Sequence, residues 1–162
     1  LQERPDDAEG WTMLARSYAV LGRFGDAVPA YRRAATLNPD DAALLADWAD
    51  AVAATRGKVD DAEPAALIAR ALAIDPRQPK ALALAGTALY ERGDYAGAIA
   101  RWRAIVEQLP PGSAAAVEIE ASIAEAAAKR DAVRGAAGST AQGAAGPTSA
   151  SAAAVTATAV TG

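Results

Sequence analysis

Trp11-Thr12-Met13-Leu14-Ala15-Arg16-Ser17-Tyr18, followed by Ala27, Tyr31 and Ala34 and closed by Pro39, is the stretch that decides the fold. Trp11, Leu14, Ala15 and Tyr18 stand at i, i+3, i+4 and i+7, which is one face of a helix, and Ala27, Tyr31 and Ala34 mark one face of a second. Gly22 marks the turn between them. The small Ala15 and Ala27 let the two backbones approach while the rings fill the space beside them. A single hairpin of this kind cannot bury both of its faces, so the pattern calls for neighbours stacked on it.

The neighbours are legible in the proline register. Pro5, Pro39, Pro76 and Pro110 recur at spacings of 34, 37 and 34. Each ends a helix that it cannot continue, and the Asp, Gln or Ser that follows is suited to cap the next one. This is the tetratricopeptide (TPR) pattern, a helical hairpin of about 34 residues, with Ala15 in place of its usual Gly. The predicted fold is all-α: a right-handed superhelix of TPR hairpins with a C-terminal capping helix.

The expected divisions are residues 1–7 as the end of an upstream element, repeats at about 8–41, 42–78 and 79–112, a capping helix over 113–130, and a tail over 132–162. In the first repeat, with helices near 8–21 and 25–37, Pro29 falls past the first turn of the second helix and predicts a slight kink. In the second, Leu45, Trp48, Ala49 and Val52 share one face of a helix near 42–55. A longer polar turn over 56–63 follows, and Pro64 is expected to open the next helix. In the third, Leu82, Ala85, Gly86 and Leu89 face Ala98, Trp102 and Ile105 across the Gly93-Asp94 turn. Ser113 is an N-cap candidate for the last helix. From Gly135 to Gly162 the chain has neither charge nor aromatic ring. Such a segment cannot offset about 1–2 kcal/mol of backbone entropy per residue, so disorder is expected there.

Composition narrows the functions. The 162 residues carry 16 Lys and Arg against 20 Asp and Glu, a net charge of −4, with no histidine and no cysteine. An acidic chain with no basic stripe is a poor nucleic-acid binder. Without His or Cys the usual zinc sites, thiol nucleophiles and histidine acid–base catalysis are out of reach. Asp47 and Asp50 share a helix and Asp60-Asp61 a turn, yet neither pair has a base, a ligand set or a phosphate loop beside it, so no enzyme and no cofactor are expected. The start at Leu1, with no initiator Met and no apolar run of membrane-spanning length, is the expectation for a fragment or processed product.

Beyond the generic repeat, one order of features is more specific. Pro5-Asp6-Asp7-Ala8-Glu9-Gly10-Trp11, Leu44-Leu45-Ala46-Asp47, Asp75-Pro76, Lys80-Ala81-Leu82-Ala83-Leu84-Ala85-Gly86-Thr87, Gly93-Asp94-Tyr95 and Leu109-Pro110-Pro111-Gly112-Ser113 follow one another over about 1–130. In these residues the chain resembles the TPR domain of the CcmI/CycH family of cytochrome c-type biogenesis proteins. The resemblance implies a domain on the periplasmic face of the bacterial inner membrane, tied to the membrane through an N-terminal anchor absent from this sequence. It also implies a chaperone role: holding apocytochrome c by its C-terminal helix and delivering it to the haem ligation complex. The alternative is a TPR scaffold in another envelope assembly, such as that of nitrite reductase.

The first helix of each repeat is expected to line the concave side, with the residues that point away from the hairpin partner forming a peptide-binding groove. These are Thr12, Arg16 and Ala19 in the first repeat and Ala46, Asp47, Asp50 and Ala53 in the second. Lys80, Ala83, Thr87 and Tyr90 complete the groove in the third. The small residues leave room for a guest helix, and Arg16, Asp50 and Lys80 would orient it. A carboxylate clamp of the heat-shock co-chaperone kind needs Lys, Asn and Arg converging on a peptide terminus, and the one Asn, Asn38, falls in a turn.

Overall fold

The computed structural model describes residues 6–59 and 61–143, and all of its regular structure is helical. Three hairpins follow one another: α1 (Ala8–Val20) with α2 (Phe24–Leu37), α3 (Ala42–Arg56) with α4 (Ala62–Ile74), and α5 (Pro79–Glu91) with α6 (Tyr95–Val106). A longer α7 (Ala114–Gly143) closes the series. Each helix packs on its partner and the hairpins pack in series, α2 on α3, α4 on α5 and α6 on α7, as in a TPR superhelix, and one buried cluster runs from Ala15 of α1 to Ala81 of α5. None of the described helices is long and apolar enough to cross a membrane.

The residues after the prolines start the helices as their chemistry requires. The Asp7 carboxylate accepts from the Gly10 N–H at 2.8 Å, Asp41 from Leu44 at 2.9 Å and Gln78 from Ala81 at 2.6 Å. Ser113 accepts from Ala116 at 3.3 Å. Each satisfies a donor that the first helical turn leaves free. Replacing Asp41 by alanine should cost about 1 kcal/mol, read as a lower urea midpoint at unchanged slope.

Small residues sit where helices cross. Ala15, Ala27 and Ala34 are buried in the first hairpin, Ala49 and Ala71 in the second and Ala98 in the third, around Leu44, Leu45 and Leu82. At the third crossing even alanine is too large, because a Cβ on Gly86 would lie 2.3 Å from the indole nitrogen of Trp102. The first hairpin accommodates Ala15 opposite the smaller Tyr31 at the equivalent positions. A bulkier ring is thus matched by loss of a methyl group.

The structure departs from the sequence-based boundaries at several points. Asp7 is the N-cap of α1, and residues 1–5 lie outside the described residues. Helix α2 runs from Phe24 to Leu37 through Pro29. Helix α4 begins at Ala62, which places Pro64 in its third position. Gly57, at φ 74°, ends α3, and Arg56 reaches over the turn to Glu63 at 2.7 Å. The last helix does not stop near Arg130 but continues to Gly143, taking in the first part of the predicted disordered tail. The alanines, Lys129, Arg130 and Arg134 cost little or nothing in a helix, and each glycine costs only about 1 kcal/mol. The rest of that tail, 144–162, lies outside the described residues.

Candidate peptide-binding groove

Stacking the hairpins sets α1, α3 and α5 side by side, with contacts from α1 to α3 and from α3 to α5. Arg16 of α1 donates from Nε to Oδ2 of Asp47 on α3 at 2.8 Å, and Lys80 of α5 donates from Nζ to the other oxygen of the same carboxylate at 2.6 Å. Lys80 also lies 3.5 Å from Asp50. One carboxylate, with its side chain only 14% exposed, therefore ties together the first helices of all three repeats. Charge-assisted bonds of this kind are stronger than neutral ones, and here they fix the spacing of the groove wall.

The floor beneath comes from a second helix. Tyr31 of α2 is 2% exposed, and together with Arg16, Ala19, Val20, Asp47 and Lys80 it lines a hollow of about 280 Å³. Burial, followed by the nearby Asp47 carboxylate, pushes the Tyr31 phenol up to about 12. Burial alone would lower the Lys80 pKa. The hydrogen bond to Asp47 and the charges of Asp47 and Asp50 together outweigh it, so the ammonium is held charged above the usual lysine range.

The expected groove residues divide into three groups. Arg16, Asp47, Asp50 and Lys80 come together, but they pair with one another, so their charges are largely satisfied before any guest arrives. Ala19 and Ala83 keep part of their surface on the groove side, and the hydroxyls of Thr12 and Thr87 are spent on the carbonyls of Ala8 and Ala83 in their own helices. Ala46 and Ala53 do not line the surface at all, being 0% and 6% exposed, because the close crossing of helices in the middle repeat covers them.

Tyr90 is likewise committed elsewhere. Its ring packs at 5.3 Å from Tyr95 and 5.8 Å from Trp102, its hydroxyl donates to Glu125 of α7 at 2.5 Å, and Lys129 donates to that hydroxyl from above the ring. It fastens the last helix to the third repeat. Sequence reasoning missed Tyr31 and Val20 as lining residues. A buried ring on the second helix gives no periodic signal that it also floors a surface hollow, and Val20 sits at the helix end where the face is read least clearly.

Residues 1–116 match the family described as the cytochrome c-type biogenesis protein H TPR domain. The chain is 37% identical over 126 residues to a cytochrome c-type biogenesis protein CycH from Pseudomonas aeruginosa, covering 78% of this chain and 31% of that protein. It is 27% identical over 111 residues to the formate-dependent nitrite reductase complex subunit NrfG from Escherichia coli O157:H7, covering 68% of this chain and 56% of that one. The chain spans about a third of the length of the CycH relatives it matches. Among solved structures, the Sgt2 TPR domain from Aspergillus fumigatus superposes with a TM-score of 0.66 at 19% identity, over 92% of this chain and 91% of that one, a likeness of fold alone.

Proposed function

We propose a function from the premise that this chain belongs to the family of cytochrome c-type biogenesis protein H TPR domains, a membership carried by the match over residues 1–116. It is a TPR protein of cytochrome c maturation whose fold suits protein partners. In our reading the partner is apocytochrome c. The groove beside α1, α3 and α5 holds its C-terminal helix and presents the chain to the haem ligation complex on the periplasmic side of the inner membrane, with the anchor supplied by another part of the protein.

The observation that supports this best is the Arg16–Asp47–Lys80 tie. It gives a groove of fixed width whose charges are already paired, beside the exposed parts of Ala19, Val20 and Ala83. Such a surface suits the apolar face of an amphipathic helix, because a guest need not desolvate an unpaired charge to settle there.

A peptide from the C-terminal helix of a c-type apocytochrome should bind this domain without haem, and a scrambled peptide of equal composition should not. Ala83→Trp, at a half-buried position on α5, should reduce binding at least tenfold, about 1.4 kcal/mol, with the circular dichroism spectrum unchanged. Equal binding of both peptides would remove the apocytochrome reading. The similarity to NrfG supports a second reading, a scaffold in nitrite reductase assembly, which a preference for peptides from that system would favour.

A further inference from the structure

Tyr31 carries a hydroxyl that the fold itself does not use. The residue is 2% exposed, yet its phenol makes no hydrogen bond to any described residue. Nor is the hydroxyl sealed in. Among the described residues, the Trp48 indole nitrogen is the one side-chain polar atom that is both fully enclosed and unpartnered. The Tyr31 oxygen therefore keeps contact with the hollow of about 280 Å³ that this residue lines. A buried polar group with no partner inside the protein has its bonding capacity directed outward. Solvent meets that need while the groove is open. A guest helix lying over the hollow excludes water, and the phenol then bonds to the guest or loses its bond.

We propose that this hollow is a side-chain pocket for an uncharged amide, a glutamine of the guest helix, with Tyr31 as the residue that selects it; this rests on the helix-binding reading of the groove. The charges around the pocket already balance. Arg16 and Lys80 stand against Asp47 and Asp50, with Lys80 touching both carboxylates. A guest carboxylate or ammonium leaves one charge in excess in a partly enclosed place, whereas an amide adds none. Asp47 accepts one bond on each oxygen, from Arg16 and from Lys80, and a carboxylate has acceptor capacity beyond that. The amide carbonyl accepts from the phenol while an amide N–H donates to Asp47, so both polar ends are satisfied. Burial raises the phenol to about 12, so it keeps its proton for this bond. Length matters too. The phenol is on α2, at the floor, while the guest rests on the first helices, so a long side chain is needed, its methylenes passing Ala19 and Val20.

Two titrations of the full chain and of Tyr31→Phe, which keeps the ring and should leave the circular dichroism spectrum unchanged, test this. Propanamide is the glutamine side chain alone. Followed through the backbone amide resonances of Ala19, Val20 and Lys80, it should bind the wild-type chain saturably and Tyr31→Phe about tenfold more weakly or not at all. Its charged counterparts propionate and butylammonium should bind the wild-type chain about tenfold more weakly than propanamide does. In the second titration, a peptide from the C-terminal helix of a c-type apocytochrome carries glutamine, leucine, glutamate or lysine at each position in turn. At one position glutamine should bind about tenfold tighter than the other three, and in Tyr31→Phe that advantage should shrink to about twofold or less. No response to propanamide, an equal response in Tyr31→Phe, or a bound peptide whose glutamine preference is missing or survives the substitution overturns the pocket. A parent peptide that does not bind at all removes the apocytochrome reading instead, and propanamide then decides the pocket by itself.

Discussion

Replacing Tyr31 by alanine should lower the folding stability by about 3–5 kcal/mol, the range for deleting a buried aromatic ring. The ring is 2% exposed in the central cluster and also floors the hollow under the Arg16–Asp47–Lys80 tie, so its loss empties a site bounded by three repeats. The effect should appear as a lower urea midpoint, and a cost below about 1 kcal/mol would show that the seam collapses to refill the space. Tyr31→Phe should be nearly neutral below pH 9 and informative above it. The folded phenol is raised from 10.0 to about 12, so the unfolded chain loses this proton first as the pH rises. The wild-type protein therefore loses stability between about pH 10 and 12, and the part of that loss due to Tyr31 should vanish in the Phe variant. Identical pH dependence in the two proteins would rule out a phenol held neutral by its surroundings.

Ala46→Trp should destabilise the fold by about 3 kcal/mol, at the upper end of the usual overpacking cost. As a groove position, an indole there would only block a guest. With no exposed surface, Ala46 instead sits in the seam of the middle repeat among Leu44, Leu45 and Ala49. The indole has to push α3 away from an adjoining helix. Thermal unfolding would separate the two cases. A large drop in melting temperature is expected for Ala46→Trp and a small one for Ala83→Trp, whose position keeps part of its surface. A fully stable Ala46→Trp would return that residue to the groove.

Much of the architecture was legible because it rests on short-range chemistry. The i, i+3, i+4, i+7 spacing from Trp11 to Tyr18 sets a helical face whatever surrounds it, and the caps at Asp7, Asp41, Gln78 and Ser113 act within one turn. The proline register told how many hairpins to expect, and the residue runs from Pro5 to Ser113 pointed to the family. The end of α7 was not legible, since an alanine-rich run without charge has the propensity for helix and the composition of a tail together.

The sequence by itself determined the all-α repeat fold, the hairpin starts and the kinship, because periodicity and capping are properties of neighbours along the chain. Only the tertiary structure decided which groove residues are open. Ala46 and Ala83 occupy equivalent positions of successive repeats, and their different burial follows from how closely neighbouring helices approach, a distance no local pattern encodes. The same holds for Asp47, whose partners Arg16 and Lys80 stand 31 and 33 residues away and meet it only when three hairpins are stacked. It holds as well for Tyr90, which binds Glu125 and Lys129 of the last helix. Charges that look free along the chain are paired across it, because stacking brings the first helices within hydrogen-bonding reach of one another.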